Sequence, residues 1–189
     1  MNHAMKTLWS GRLATAMLCL LVIGQKYAPA QVVSNPGNVV LNAAVQDSIA
    51  ISVSAPSVGF SLVPGTGPTA GAPTVTVTTN WKLKPGGSPV LSLYGFFSSS
   101  TAALTNGPNN IPSANVLAGV NGGAPAGFTQ TGPFGAGAAS LQIYSLVITG
   151  VNKNGTRNDT LDLYINLTSQ PNLPPGTYTG ILSLQAQAF

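Results

Sequence analysis

Apolar and polar residues alternate with a period of two in several stretches after residue 30, and no convincing helical period occurs there. Alternation of this kind is typical of strands that bury one face. Residues 45–54 place isoleucine and valine on one face, and residues 74–83 place valine, threonine and tryptophan on one face. The predicted core positions of these two strands are Ile49, Ile51, Val53, Val75, Val77 and Trp81.

The same pattern predicts about seven strands separated by turns rich in Pro and Gly. Residues 90–97 are apolar on both faces, which is typical of a central strand. Many short strands without helices predict an all-β fold: a single antiparallel two-sheet sandwich of immunoglobulin-like architecture, with a closed barrel as the alternative. The predicted strands are 45–54, 58–63, 74–83, 90–97, 141–149, 160–168 and 177–187, and a short additional strand is considered near 38–41.

Asn154-Gly155 lies between two alternating segments and is the strongest short signal for a β-hairpin turn. A two-residue turn there pairs Ile148 with Leu161, and both side chains then belong to one apolar face. A slip of one residue would destroy this agreement between the two strands. The remaining predicted core positions are Leu146, Ile148, Leu161, Leu163, Ile165 and Tyr178.

Residues 98–139 contain no charged side chain and are dominated by Gly, Ala, Pro, Asn, Ser and Thr. This composition predicts a long loop or elaboration, in which 116–120 and Phe128 tether the segment to the core. Loops of this length are uncommon in compact domains and are often functional. The segment is therefore the best candidate for a specific function, and a tolerated surface insertion is the alternative.

Side chains suited to catalysis are almost absent, because only 5% of the residues are charged. There is no Glu; the three acidic residues are Asp47, Asp159 and Asp162, and the single His and Cys are His3 and Cys19. Asp159 and Asp162 are three positions apart, so on a strand they point to opposite faces and cannot act as a pair. Acid–base and metal chemistry lack their usual residues. We therefore expect no enzyme, no catalytic residue, no cofactor and no metal site.

Residues 1–30 have the pattern of a secretory signal peptide, with basic residues followed by the apolar stretch 13–24 and a small-residue cleavage site. The apolar stretch is shorter than the roughly 20 residues that a membrane-spanning helix needs. We expect cleavage to leave one domain over 31–189, located in the periplasm, at the cell surface or outside the cell. The predicted cleavage site consists of Ala28, Ala30 and Gln31.

The cleaved chain would keep four basic residues, which are scattered along the sequence. Nucleic-acid binding needs a basic stripe, so we expect no nucleic-acid partner. The polar Gln185 and Gln187 in the last predicted strand disfavour insertion into lipid, so we expect no membrane insertion of the mature chain.

The segment Leu173-Pro174-Pro175-Gly176-Thr177-Tyr178-Thr179-Gly180, followed by an alternating strand, resembles the last strand of secreted bacterial spore-coat-U-like and fimbrial-subunit-like domains. The resemblance lies mainly in 158–189, and it implies an exported immunoglobulin-like module with an assembly or adhesion role and no catalysis. Two features depart from the fimbrial pattern. The mature chain has no Cys for a disulfide, and Pro36-Gly37 is a poor pattern for a long donor strand within 31–41.

The leading hypothesis is an exported, non-enzymatic structural or surface-interaction protein, such as a self-associating component of a cell surface, an appendage or a coat. Open strand edges recruit other strands unless charges or Pro block them, and this chain has few charges for that purpose. The alternative is a module that binds surface glycans or another surface ligand through 98–139 and exposed aromatic residues, with Tyr164 as the expected surface aromatic.

Overall fold

The computed structural model describes residues 40–44, 46–84, 86 and 89–189. The predicted signal peptide and its cleavage site at Ala28, Ala30 and Gln31 lie outside the described residues. The chain divides into two units, 1–43 and 44–189, and the fold below is that of the second unit. Val40 and Leu41 belong to no strand, whereas the other half of the strand considered at 38–41 is outside the described residues.

The described part of the chain is all-β, with eleven strands, one short 3-10 helix at Ser113–Asn115 and no α-helix. All strand pairs are antiparallel. The strands are β1 (Ser48–Val53), β2 (Thr69–Ala70), β3 (Val75–Lys82), β4 (Val90–Phe96), β5 (Leu104–Asn106), β6 (Asn109–Ile111), β7 (Val116–Val120), β8 (Ala126–Gly127), β9 (Ser140–Val147), β10 (Asn154–Ile165) and β11 (Ser183–Ala188).

Two sheets contribute side chains to one apolar core, an arrangement consistent with a β-sandwich. The six-stranded sheet has the order β1-β3-β10-β7-β8, with β2 paired to β10, and the three-stranded sheet has the order β11-β4-β9. Val77 and Leu161 enter the core from the first sheet, and Leu91 and Leu93 enter it from the second. The strand β4 is central in its sheet, as its two apolar faces predict.

The predicted core positions differ in how far they are buried. Val53 is 46% exposed, so its assignment to the core is wrong. The reason is that β1 is an edge strand, and its last residue faces an opening in the fold. Ile49, Ile51, Leu146 and Tyr178 are half-buried against the core. The buried positions are Val75, Val77, Trp81, Ile148, Leu161, Leu163 and Ile165.

The hairpin predicted at Asn154-Gly155 is wrong. The strand β9 pairs with β4, whereas β10 pairs with β3 and β7, so the strands on either side of the dipeptide lie in different sheets. Asn154 and Gly155 are the first residues of β10, opposite Lys82 and Trp81. Alternation specifies which face of a strand is buried but not which strand is its neighbour.

The turn between the sheets lies upstream of the dipeptide and is organised by Asn152. Its Oδ1 accepts a hydrogen bond from the Thr149 N–H at 2.6 Å, and its Nδ2 donates to the Val147 carbonyl at 2.9 Å. The chain thereby leaves β9 and enters the other sheet at Lys153, whose carbonyl accepts from the Leu83 N–H at 2.7 Å.

The segment 98–139 is not a long loop, because it contains β5, β6, β7 and β8. Five residues of β7 pair with β10 as part of the larger sheet, and Phe128 is fully buried. The strands in this segment are short and rich in Gly, Ala and Asn. Composition alone therefore does not predict them.

Two other predicted strands are shorter or absent. Residues 58–63 form no strand and make a single bridge between Gly59 and Ala72, although Val58, Phe60 and Leu62 pack against the core. The last strand begins at Ser183 and not at 177, because the backbone of Thr179 pairs with Thr105 and not with β4.

Candidate functional site

An open groove of about 780 Å³ lies at one end of the fold. Its walls are two irregular segments, 55–64 after β1 and 173–182 before β11. Its floor is made by apolar side chains of the core itself, none of which is more than 8% exposed. The floor residues are Val75, Phe97, Val116, Leu163, Ile165 and Leu167.

The groove borders a free edge of β11. Phe189 and Val90 exchange both of their backbone hydrogen bonds, at 2.9 and 3.4 Å. Because the bonded residues alternate along an antiparallel strand, the N–H and C=O groups of Leu184, Ala186 and Ala188 point away from β4. No strand of the described chain pairs with this edge.

The edge of β1 is free in the same way. The Ser54 N–H donates to the Thr76 carbonyl at 2.9 Å, so by alternation the backbone groups of Ile49, Ile51 and Val53 point away from β3. Val53 at the end of β1 and Leu184 at the start of β11 both line the groove. The opening is therefore flanked by unpaired backbone groups and floored by apolar side chains.

The β5–β6 hairpin holds the wall that precedes β11. Thr105 and Thr179 exchange backbone hydrogen bonds at 2.8 and 3.0 Å, and Gly180 packs directly against the Ala103 carbonyl. A side chain at position 180 would collide with this backbone. The hairpin lies within 98–139, so part of the segment singled out from composition shapes the groove.

Tyr178 stabilises the same wall through a hydrogen bond within the segment 173–182. Its hydroxyl donates a hydrogen bond to the carbonyl of Pro174 at 2.9 Å, and its ring is half-buried against the core. The sequence segment that carries the family resemblance, 173–180, is thus a wall of the groove.

No charged residue of the described ranges lines the groove. The only ion pair of the described chain joins Asp159, which is fully buried, to Arg157 on the inner side of β10. The guanidinium donates to both carboxylate oxygens at 2.8–3.0 Å, and the Asn121 amide adds a third donor at 2.8 Å. This pairing raises the pKa of Arg157.

The ion pair also connects the two sheets, because the guanidinium lies 4.5 Å from the ring centroid of Tyr144 on β9. Burial raises the pKa of the Tyr144 hydroxyl, which has no hydrogen-bond partner among the described residues. A buried, fully paired carboxylate has no open approach for a substrate, so the arrangement is suited to holding the sheets in register.

The other acidic residues are also engaged in local contacts. Asp162 accepts a hydrogen bond from the Thr74 hydroxyl at 2.7 Å, and Asp47 accepts one from the Lys84 N–H at 2.8 Å. Asp159 and Asp162 lie on opposite faces of β10, as their spacing predicts. The described residues contain no group of three or more metal-ligating side chains.

The aromatic residues separate into a buried set and a half-buried set. Trp81, Phe97 and Tyr144 are buried in the core, whereas Tyr164, expected at the surface, is half-buried. Tyr94 and Phe96 lie on the outer side of β4, where Phe134 from 98–139 joins them. The sequence pattern does not identify Phe134, because the composition of 98–139 predicts a loop and offers no packing partner for this ring.

Within the described ranges, no helix is long and apolar enough to cross a membrane. Comparison of the sequence with models of protein families, and with curated proteins, finds no match.

Proposed function

We propose that this chain is an exported, non-enzymatic structural subunit that self-associates at a cell surface, and that the groove accepts an extended segment from a second copy. The observation that carries the proposal is the free edge of β11 beside an open groove with an apolar lining. A strand added there would satisfy the outward backbone groups of Leu184, Ala186 and Ala188, and its side chains would pack against exposed lining residues such as Val53 and Ile181.

We further propose that the strand order is immunoglobulin-like, an interpretation in which one strand position is empty. Seven-stranded immunoglobulin domains pair strands A-B-E-D in one sheet and C-F-G in the other. In this interpretation the order β1-β3-β10-β7 corresponds to A-B-E-D, and the neighbours β4 and β11 correspond to C and F. The strand β9, on the other side of β4, is then an addition to the seven-stranded scheme. No described strand occupies the position of strand G beside β11. Tyr178, bonded back to Pro174 shortly before β11, resembles the tyrosine corner of such domains.

Exposed apolar side chains around the opening supply the driving force. Ile181 is 80% exposed and Val53 is 46% exposed, and both line the groove. Burying apolar surface stabilises association by about 25 cal/mol per Å² before the entropic cost of binding. The groove lining has no charge or edge lysine that would oppose an incoming strand.

The segment that precedes β1 has the properties of a donor. Val40 is 81% exposed and Leu41 is 88% exposed, although both are apolar. In the sequence, Val39, Leu41, Ala43 and Val45 alternate with Val40, Asn42, Ala44 and Gln46, and no charge occurs among them. Extended, 39–45 spans about 23 Å, which is comparable with the length of β11. Pro36-Gly37 precedes this segment and so limits the donor strand only on that side.

Donor and acceptor are different surfaces of one chain, so the contact is heterologous. Such contacts produce rings when the rotation closes and open filaments when it does not. Each added copy would present a new free groove, and assembly would continue beyond the dimer.

Light scattering coupled to size-exclusion chromatography tests the assembly. We expect the wild-type protein to form oligomers whose mass rises with concentration, and Leu41→Asp to remain monomeric. Val151→Asp is the matched control, because Val151 is at least as exposed as Leu41 but lies in the turn before β10. A wild-type protein that stays monomeric at high concentration would contradict the proposal, and so would equal assembly of wild type and Leu41→Asp.

Export is tested separately by determining the first residue of the protein recovered outside the cytoplasm. We expect Gln31. Recovery of the protein only inside the cytoplasm, with residues 1–30 still attached, would contradict this part of the proposal.

A further inference from the structure

The outer side of the three-stranded sheet carries aromatic and amide side chains in one row. Tyr94 lies opposite Gln185 of β11 on one side and opposite Gln142 of β9 on the other. Neighbouring strands are about 4.8 Å apart, so the row from Gln142 to Gln185 spans roughly 10 Å. Ser92 and Gln187 form the next pair along the sheet.

The ring of Phe134 packs on the outer side of the sheet beside this row. Its ring lies 5.7 Å from that of Phe96 at an interplanar angle of 29°, and 6.1 Å from that of Tyr94 at 74°. Gly135, at φ 78°, permits this close approach, because a Cβ atom there would be 2.6 Å from Phe96 Cδ2. The 98–139 segment thus places an aromatic ring on the outer face of the sheet.

The amides of this face have unused hydrogen-bonding capacity. Gln142 Nε2 donates to the Tyr94 hydroxyl at 3.1 Å, and the side chains of Gln185 and Gln187 make no hydrogen bond to other described residues. Each amide offers both donors and acceptors. The aromatic–amide face, consisting of Tyr94, Phe96, Phe134, Gln142, Gln185 and Gln187, carries no formal charge, whereas Ser92 beneath it is buried.

We propose that the aromatic–amide face binds a neutral polysaccharide chain. Sugar rings present C–H groups that pack on aromatic rings, and they present hydroxyls that both donate to and accept from amides. The lack of charge on this face matches an uncharged polyol and offers no counter-charge to an anionic one. None of these residues lines the groove, so this site goes beyond the assembly proposed above.

Affinity electrophoresis in gels containing a soluble neutral polysaccharide, with dextran, a β-glucan and a galactomannan as probes, tests the site. We expect the wild type to be retarded by at least one of them. Phe134→Ala and Gln185→Glu should each weaken binding at least tenfold. Tyr164→Ala is the matched control, because Tyr164 is a half-buried aromatic of the other sheet, and it should bind as the wild type does.

The Leu41→Asp variant separates this site from the groove, and we expect it to bind the polysaccharide like the wild type. The proposal is overturned if none of the three neutral polysaccharides binds, if only an anionic polysaccharide such as alginate binds, or if Tyr164→Ala loses as much affinity as Phe134→Ala. Loss of self-association in Gln185→Glu without loss of polysaccharide binding would identify the face as an interface between copies and would also overturn it.

Discussion

The six-membered ring of Trp81 occupies the space that a side chain of Gly155 would need, directly across the β3–β10 ladder. A Cβ atom at position 155 would lie 2.9 Å from Trp81 Cε2 and Cη2. The indole Nε1 donates to the Asn152 carbonyl at 2.8 Å, which fixes the ring in this position. Position 155 must therefore be glycine, because the ring of Trp81 on the neighbouring strand leaves no room for a side chain. In the sequence, the dipeptide Asn154-Gly155 instead predicts a turn.

Gly155→Ala should destabilise the fold, because the added methyl group forces Trp81 out of its position. We expect a loss of about 1–3 kcal/mol in the free energy of unfolding, the usual cost of overpacking. Gly150→Ala is the control, since no atom lies within 4 Å of a Cβ atom there. Urea unfolding in the Leu41→Asp background, where association does not contribute, measures both variants. Equal stability of the two would refute the account of Gly155.

Arg157→Met should lower the free energy of unfolding more than the removal of a charge from an exposed residue does. It leaves the fully buried Asp159 carboxylate with the Asn121 amide as its remaining side-chain donor. Loss of one partner of a buried ion pair costs about 3 kcal/mol or more. Lys82→Met, at an exposed position, should change stability by less than about 0.5 kcal/mol. Urea unfolding at pH 7 measures both variants. Equal losses of stability in Arg157→Met and Lys82→Met would contradict this explanation.

Tyr144→Phe should leave stability at pH 7 unchanged or raise it by about 1 kcal/mol, because among the described residues the buried hydroxyl forms no hydrogen bond, even to the neighbouring Thr79 hydroxyl. Burial raises the pKa of the folded tyrosine above 10.0, so its contribution is present below pH 10 and is lost as the pH rises through the folded value. The wild type should therefore lose stability above about pH 10 more steeply than the variant does. Parallel stability curves over pH 9–11 would exclude this role for Tyr144.

Gly180→Ala should weaken assembly, because a methyl group would push the groove wall away from the β5–β6 hairpin at Ala103. We expect self-association at least tenfold weaker than in the wild type, measured by light scattering over a concentration series. Gly67→Ala is the control, because the surroundings of its Cβ position are empty within 4 Å. If both variants assembled like the wild type, the hairpin would not be what positions the wall.

Alternation predicts strands well where one face is buried against the core. The strands β1, β3 and β4 fall within the stretches 45–54, 74–83 and 90–97, and the apolar faces of β4 correctly indicate a central strand. Which strands pair with each other is harder to predict, because the alternating pattern of β10 is compatible with pairing to β9 as well as to β3. The contact that decides between them, Trp81 against Gly155, joins residues 74 positions apart and has no local signal.

The groove has only an indirect signature in the sequence. The edge of β11 that borders it pairs with no described strand, yet the residues of β11 alternate like those of any half-buried strand. The exposed Val40 and Leu41 give the clearest hint, since an alternating apolar segment without a partner is unusual. The sequence has no local signal for the wall formed by 173–182, because Gly180 and the β5–β6 hairpin are far apart in the chain and come into contact only on folding.

Hydrogen exchange at the edge of β11 tests the central claim most directly. The monomeric Leu41→Asp protein is mixed with a peptide of residues 38–46, and a peptide carrying Leu41→Asp serves as the control. The account predicts that the wild-type peptide, and not the control, slows exchange of the Leu184, Ala186 and Ala188 amides, which face away from β4. Unchanged exchange of these three amides at saturating peptide concentration would contradict it.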